Sequence, residues 1–180
     1  SLDAFSQETY SKVRVGSIAM DRVKRNIQTF LDLKEKGGYK LPIVGVSFCK
    51  LKQNEHEEEE FIKYWRNKVD IISIQQFMPP TPDKEKYKEY YSSDQYEEKI
   101  KDKFHCVQPF QRIVIKNQNI YPCCVSFNKD LVLGSIKNTK IHDAWHSDKM
   151  NELREIHKSG DYKKDKTCKT CVELIYPPKN

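Results

Sequence analysis

Apolar positions divide the chain into two stretches with different periods. In the first, Asp21 to Lys36 places Val23, Ile27, Phe30 and Leu31 on one face of a helix, and Gly37-Gly38 stops it. Leu41-Pro-Ile-Val-Gly-Val-Ser-Phe-Cys49 is a nearly continuous apolar run, the pattern of a strand buried on both faces in a parallel sheet. Asn54, with Glu57 three residues on, makes a capping-box arrangement ahead of a helix whose inner face carries Phe61, Ile62 and Trp65. Val69 to Phe77 reads as a second strand, ended by Pro79-Pro80. Helix, strand, helix, strand is the alternation of a parallel α/β sheet. Ser1 to Arg14 reads as the loop and short helix that should follow a strand, and two strands alone make no durable sheet. The expectation is therefore a C-terminal piece of a longer protein.

Residues 81–104 are dense in Lys, Glu and Tyr with little apolar periodicity, and read as a charged linker. Beyond it the pattern changes. Gln111 to Lys116, the turn Asn117-Gln118-Asn119, and Ile120 to Cys124 predict a β-hairpin, and Leu131 to Ile136 a further short strand. Thr139 is placed to cap a helix bearing Ile141, Ala144 and Trp145. A second helix turns Met150, Leu153, Ile156 and His157 inward and ends near Gly160, while Cys168-Lys-Thr-Cys171 reads as a tight loop. The expected organisation is an α/β part over 1–80, the linker 81–104, and a small α+β part over 105–180.

Composition narrows the function only a little. The 180 residues suffice for a core without disulfide staples. Lys and Arg exceed Asp and Glu by six, and the surplus lies after residue 104, too scattered to form a nucleic-acid-binding block. The longest uncharged apolar run, Leu41 to Cys49, is far below the roughly 20 residues of a membrane helix, and no basic-then-apolar leader opens the chain. A cytoplasmic protein without a membrane partner is expected.

Five of the six cysteines lie in the last part. In a reducing compartment such a cluster reads as metal ligands rather than disulfides. Cys106, Cys123 or Cys124, Cys168 and Cys171 describe a four-thiolate site, since a C-x2-C pair, one hairpin cysteine and one upstream cysteine can share a centre. If Cys123 and Cys124 are both extended they point to opposite faces, so one of them is the ligand. Four thiolates suit zinc or an iron–sulfur cluster. Cys49 reads as a buried apolar thiol, Glu57 to Glu60 as the acidic first turn of a helix, and Trp65 and Trp145 as packing. His105, beside Cys106, stands either behind that ligand or at the surface.

His105-Cys-Val-Gln-Pro-Phe-Gln-Arg-Ile-Val-Ile, Ile120-Tyr-Pro-Cys-Cys, Leu131-Val-Leu-Gly-Ser-Ile, Ile141-His-Asp-Ala-Trp-His-Ser-Asp-Lys-Met-Asn-Glu-Leu-Arg154 and Cys168-Lys-Thr-Cys171 together resemble the auxiliary-cluster domain of radical SAM enzymes called SPASM, or its shorter Twitch form. Ser1-Leu-Asp3 and Thr9 to Arg14 resemble the segment after the fourth strand of the radical SAM partial TIM barrel, whose fifth and sixth strands the two predicted strands would be. The resemblance implies one auxiliary 4Fe-4S cluster on Cys106, Cys123, Cys168 and Cys171, with Cys124 as the alternative to Cys123, and S-adenosylmethionine (SAM) near Ser1, Asp3 and Arg14 in the intact parent. It further implies the missing first half of the barrel, a reductant such as a ferredoxin or flavodoxin, and a peptide or sugar-type substrate. The C-x3-C-x2-C loop that holds the SAM-cleaving cluster in this family is absent here, so this chain alone is expected to be inactive. The full SPASM pattern carries seven cysteines, whereas no cysteine follows Cys171, which favours the Twitch-like form with one cluster. Gln118 stands where the family often has glycine, five residues before the hairpin cysteine. The alternative is a zinc-ribbon-like binding module without enzymatic activity, against which stand the 43 residues between Cys124 and Cys168, long for a ribbon.

Overall fold

A computed structural model describes residues 1–97, 102–125 and 129–176. Residues 98–101 of the expected linker, and 126–128 and 177–180 of the last part, lie outside the described residues. The chain divides into two compact units, one of Ser1–Phe77 with Lys86–Tyr96, the other of Met78–Glu85 with Glu97–Asn180.

In the first unit, helices α1 (Gln7–Val13) and α2 (Met20–Lys36) precede strand β1 (Gly45–Lys50), helix α3 (Glu58–Trp65) and strand β2 (Ile71–Gln76). The two strands are parallel, with register Gly45↔Ile71 through Lys50↔Gln76, as the βα alternation requires. Leu2, Val46, Phe48, Phe61 and Trp65 form the core. Phe48 meets Phe61 with ring centroids 4.9 Å apart. Truncating Phe61 to Ala would cost about 3–5 kcal/mol in such a setting.

The apolar run at β1 behaves differently from its pattern. Only Val46 and Phe48 are buried, while Leu41 and Ile43 are 71% and 62% exposed, so the strand is half-covered rather than enclosed on both faces. A sheet of two described strands offers one packed face, and alternate residues then face outward. On α2, Val23 and Ile27 reach the core, whereas Phe30 is exposed. The capping box also fails. Asn54 accepts the Leu51 amide at 2.6 Å and donates to the Asp3 and Cys49 carbonyls, both at 2.8 Å. Glu57 accepts from the Phe5 and Ser6 amides, at 2.7 and 3.2 Å. Both side chains tie the opening residues to the sheet instead of capping α3.

Part of the expected linker is built into this unit. Tyr91, Ser92 and Gln95 are buried, Gln95 Nε2 donates to the Phe77 carbonyl at 2.7 Å, and Lys50 pairs with Asp94 at 2.7 Å. Tyr87, Tyr90 and Tyr91 gather around Phe77, which is why a tyrosine-rich stretch without helical periodicity packs nevertheless. Helix α4 (Ser93–Glu97) closes the segment.

The second unit begins its regular structure with α5 (Gln108–Gln111), which claims Gln111 from the expected hairpin. Strands β3 (Val114–Lys116), β4 (Asn119–Tyr121) and β5 (Gly134–Ser135) form an antiparallel sheet in that order. The hairpin turn holds two residues, Asn117 and Gln118, both left-handed at φ 49° and 67°. This is the backbone of a type I′ turn, and it moves Asn119 into the strand opposite Lys116. Helices α6 (Ile141–Trp145), α7 (Asp148–Ser159) and α8 (Lys166–Ile175) follow. Thr139 does not cap α6, which starts at Lys140 without a side-chain cap; Thr139 instead covers Gly134, where an added Cβ would meet its hydroxyl at 2.5 Å. Ser147 caps α7, and Gly160, at φ 75°, ends it.

Candidate metal centre

Each cysteine of the second unit is placed by a different local device. Cys106 sits two residues ahead of α5, and Cys123 and Cys124 follow β4 after Pro122. Cys168 and Cys171 lie within α8 rather than in a tight loop. Their spacing of three puts both thiols on one face of the helix, whose start is fixed by Asp165: its carboxylate accepts the Cys168 amide at 2.8 Å. All five cysteines of the second unit line one cavity of about 290 Å³, in the company of Val107, Val125, Leu131, Leu153 and Val172. Among the described residues no Asp, Glu, Lys or Arg lines it.

Cys123 and Cys124 are both on the cavity wall because the strand ends at Tyr121, so the alternation expected of extended backbone does not apply to them. They differ in exposure. Cys123 is half-buried, as are Cys106, Cys168 and Cys171, while Cys124 is exposed. Burial pushes the Cys123 thiol up to about 11, and Cys171 up to about 12 with the neighbouring cysteines adding to the rise. Burial likewise raises Cys106 and, more strongly and with help from the Asp165 carboxylate, Cys168. Thiolates become favourable here when a cation replaces their protons.

His157, on the inner face of α7, stands between two of these residues. Its Nε2 is 3.3 Å from Cys168 Sγ and its Nδ1 accepts the Cys106 amide at 3.4 Å. Burial lowers the affinity of the imidazole for a second proton, against the opposing pull of the Phe104 backbone and the Asp165 charge. The apolar-face position of His157 was legible in the sequence, its contact with Cys168 was not. His105 is exposed and bonds the His157 carbonyl through Nδ1 at 3.0 Å, so it backs the neighbouring histidine rather than a sulfur.

Soft sulfur donors in an uncharged wall fit a thiophilic centre. Among the described residues no three His, Cys, Asp or Glu side chains converge closely enough for a single metal ion. The sulfur donors around this cavity suit an iron–sulfur cluster, which protein thiolates hold.

In the first unit Ser1, Asp3 and Arg14 come together. Arg14 Nη2 bonds both the Asp3 carboxylate and the Ser1 hydroxyl. Asp3 is buried at a left-handed φ of 60°, and its carboxylate also accepts the Cys49 amide at 2.7 Å. Arg14 Nε is buried without a hydrogen-bond partner. Cys49 belongs to this unit and is not among the described residues that line the thiol cavity.

Residues 106–172, the span from the first thiol of the cavity to just past the last, match the family model of SPASM, an iron–sulfur cluster-binding domain. Residues 106–172 thus carry a SPASM-type iron–sulfur cluster-binding domain. The chain is similar to the S-adenosyl-L-methionine-dependent 2-deoxy-scyllo-inosamine dehydrogenase of Niallia circulans, with 40% identity over 53 residues. That stretch is 29% of this chain and 21% of the relative. No solved structure matches the chain. Among the described residues no helix is long and apolar enough to cross a membrane.

Proposed function

We propose that residues 105–180 bind one auxiliary 4Fe-4S cluster through Cys106, Cys123, Cys168 and Cys171, within a radical SAM oxidoreductase. The observation that carries this reading is the placement of four half-buried cysteines around one cavity inside the SPASM span, with the fifth, Cys124, exposed. When bound, the cluster would supply one-electron redox chemistry, and four protein thiolates would leave it no open site for direct ligation of substrate. The protein's own part is to hold the four sulfurs, exclude water with the aliphatic wall and fix α8 through Asp165.

The parallel pair β1–β2 is then the fifth and sixth strands of the partial barrel, and Ser1, Asp3 and Arg14 lie at the SAM end. Arg14, paired with Asp3 and bonded to Ser1, is the cation of this group that a carboxylate such as that of SAM would meet. The whole protein would use the preceding half of the barrel and a ferredoxin- or flavodoxin-type reductant. The relative's name favours dehydrogenation of a small inosamine-like substrate over modification of a peptide.

Anaerobic reconstitution of the chain tests the cluster assignment. About four irons and four sulfides per chain, lost in the Ala variants of Cys106, Cys123, Cys168 and Cys171 but kept in Cys124→Ala, is the expected result. One zinc and no iron in protein purified without oxygen would overturn it in favour of a zinc module.

A further inference from the structure

His157 is 3% exposed, and its two ring nitrogens face Cys106 and Cys168, which the sequence separates by 62 positions. The Cys106 amide is a donor, so it meets Nδ1 only as an acceptor. A metal-bound Cys168 is a thiolate and accepts only. A neutral imidazole with its proton on Nε2, directed at Cys168 Sγ, satisfies both of these contacts; the Phe104 backbone is the third group at the ring. Backbone supports lie on either side. His105 Nδ1 bonds the His157 carbonyl at 3.0 Å, Phe104 donates its amide to the Gly160 carbonyl at 2.9 Å, and Asp165 fixes the Cys168 amide.

We infer that His157 is a positioning residue for the cluster, joining the Cys106 loop to Cys168 and donating Nε2–H to the Cys168 sulfur so as to raise the reduction potential. This rests on the cluster assignment above. A hydrogen bond to a ligand sulfur draws electron density from it and favours the more negative, reduced state, and it also orients the ligand. With no Asp, Glu, Lys or Arg among the described residues of the cavity wall, that N–H is a strong local dipole toward the sulfur.

The test uses the reconstituted chain with 15N-labelled histidine, as wild type, His157→Phe and His157→Gln. Pulsed EPR of the reduced wild type should show a weak coupling to a histidine nitrogen that both variants lack. His157→Phe should lower the one-electron potential by about 59 mV, a tenfold change in the relative affinity for the two redox states. It should also lose iron to a chelator roughly 10–100-fold faster. His157→Gln, which can still donate an N–H, should stay nearer the wild-type potential than to that lowered value. A loaded wild type without histidine coupling, or His157→Phe with wild-type potential, overturns the inference while leaving the cluster assignment standing. Should His157→Phe fail to fold, the labelled wild type and His157→Gln decide, and a histidine coupling that persists in His157→Gln overturns it. A wild type that takes up no iron overturns the cluster assignment itself.

Discussion

The carboxylate of Asp165 accepts the backbone amide of Cys168 at 2.8 Å, so the residue that starts helix α8 also sets the first thiol of the C-x2-C pair. Asp165→Ala should lower the stability of the second unit by about 1 kcal/mol and speed loss of the bound cluster. Asp165→Asn keeps the cap and removes a negative charge beside the sulfur; it should load iron at least as well as wild type. Urea denaturation and iron release to a chelator measure the two effects.

Gln118 occupies a left-handed position at φ 67° in the hairpin turn. A side chain with a Cβ is strained there, so Gln118→Gly should stabilise the hairpin by roughly 0.5–1 kcal/mol, net of the greater entropy glycine loses on folding. The midpoint of thermal unfolding should rise, and a midpoint that falls would mean the Gln118 side chain contributes more than its backbone costs.

Glu57 is buried, and burial alone would raise its pKa; the hydrogen bonds from Ser6, Phe5 and Thr9 outweigh this and leave it below the ordinary carboxylate range. A depressed folded-state pKa contributes stability that is complete above the unfolded value, about 4.3, and is lost as pH falls through the folded value. The first unit should therefore weaken on acidification below about pH 4.3. Glu57→Gln should cost about 1–3 kcal/mol at neutral pH and flatten that acid limb, as followed by tryptophan fluorescence of Trp65.

Alkylation should separate the six thiols. Burial raises Cys49 to about 11, so it should react slowly whether or not the chain is loaded with iron. Exposed Cys124 should be labelled in both states, while Cys106, Cys123, Cys168 and Cys171 should become protected on loading. Protection of Cys124 with labelling of Cys123, read by mass spectrometry, would exchange the two in the ligand set.

The sequence was most informative where period or spacing is local. The α2 stop at Gly37-Gly38, the parallel βα order and the hairpin around Asn117 all emerge in the structure. What it concealed depends on partners distant in sequence. Glu57 looked like a capping residue because nothing local reveals that the Phe5 and Ser6 amides need an acceptor. Residues 86–96 looked solvated because the packing of Tyr91 beside Phe77 has no helical or strand period. Of the candidate site, the cysteines were visible by type and spacing; the helix beneath Cys168 and Cys171, and the imidazole that touches Cys168, were not.

Placing two thiols three residues apart on one helix turns a sequence motif into a mechanical constraint. Each residue advances the helix by about 100°, so Cys168 and Cys171 are separated by about 300° and share a side. Deleting Lys169 would swing the second sulfur to about 200°, nearly the opposite side, with every residue type needed for the motif still in the chain. The pair thus acts as a rigid two-pronged fork, whose prongs can approach or withdraw only by moving α8 as a whole.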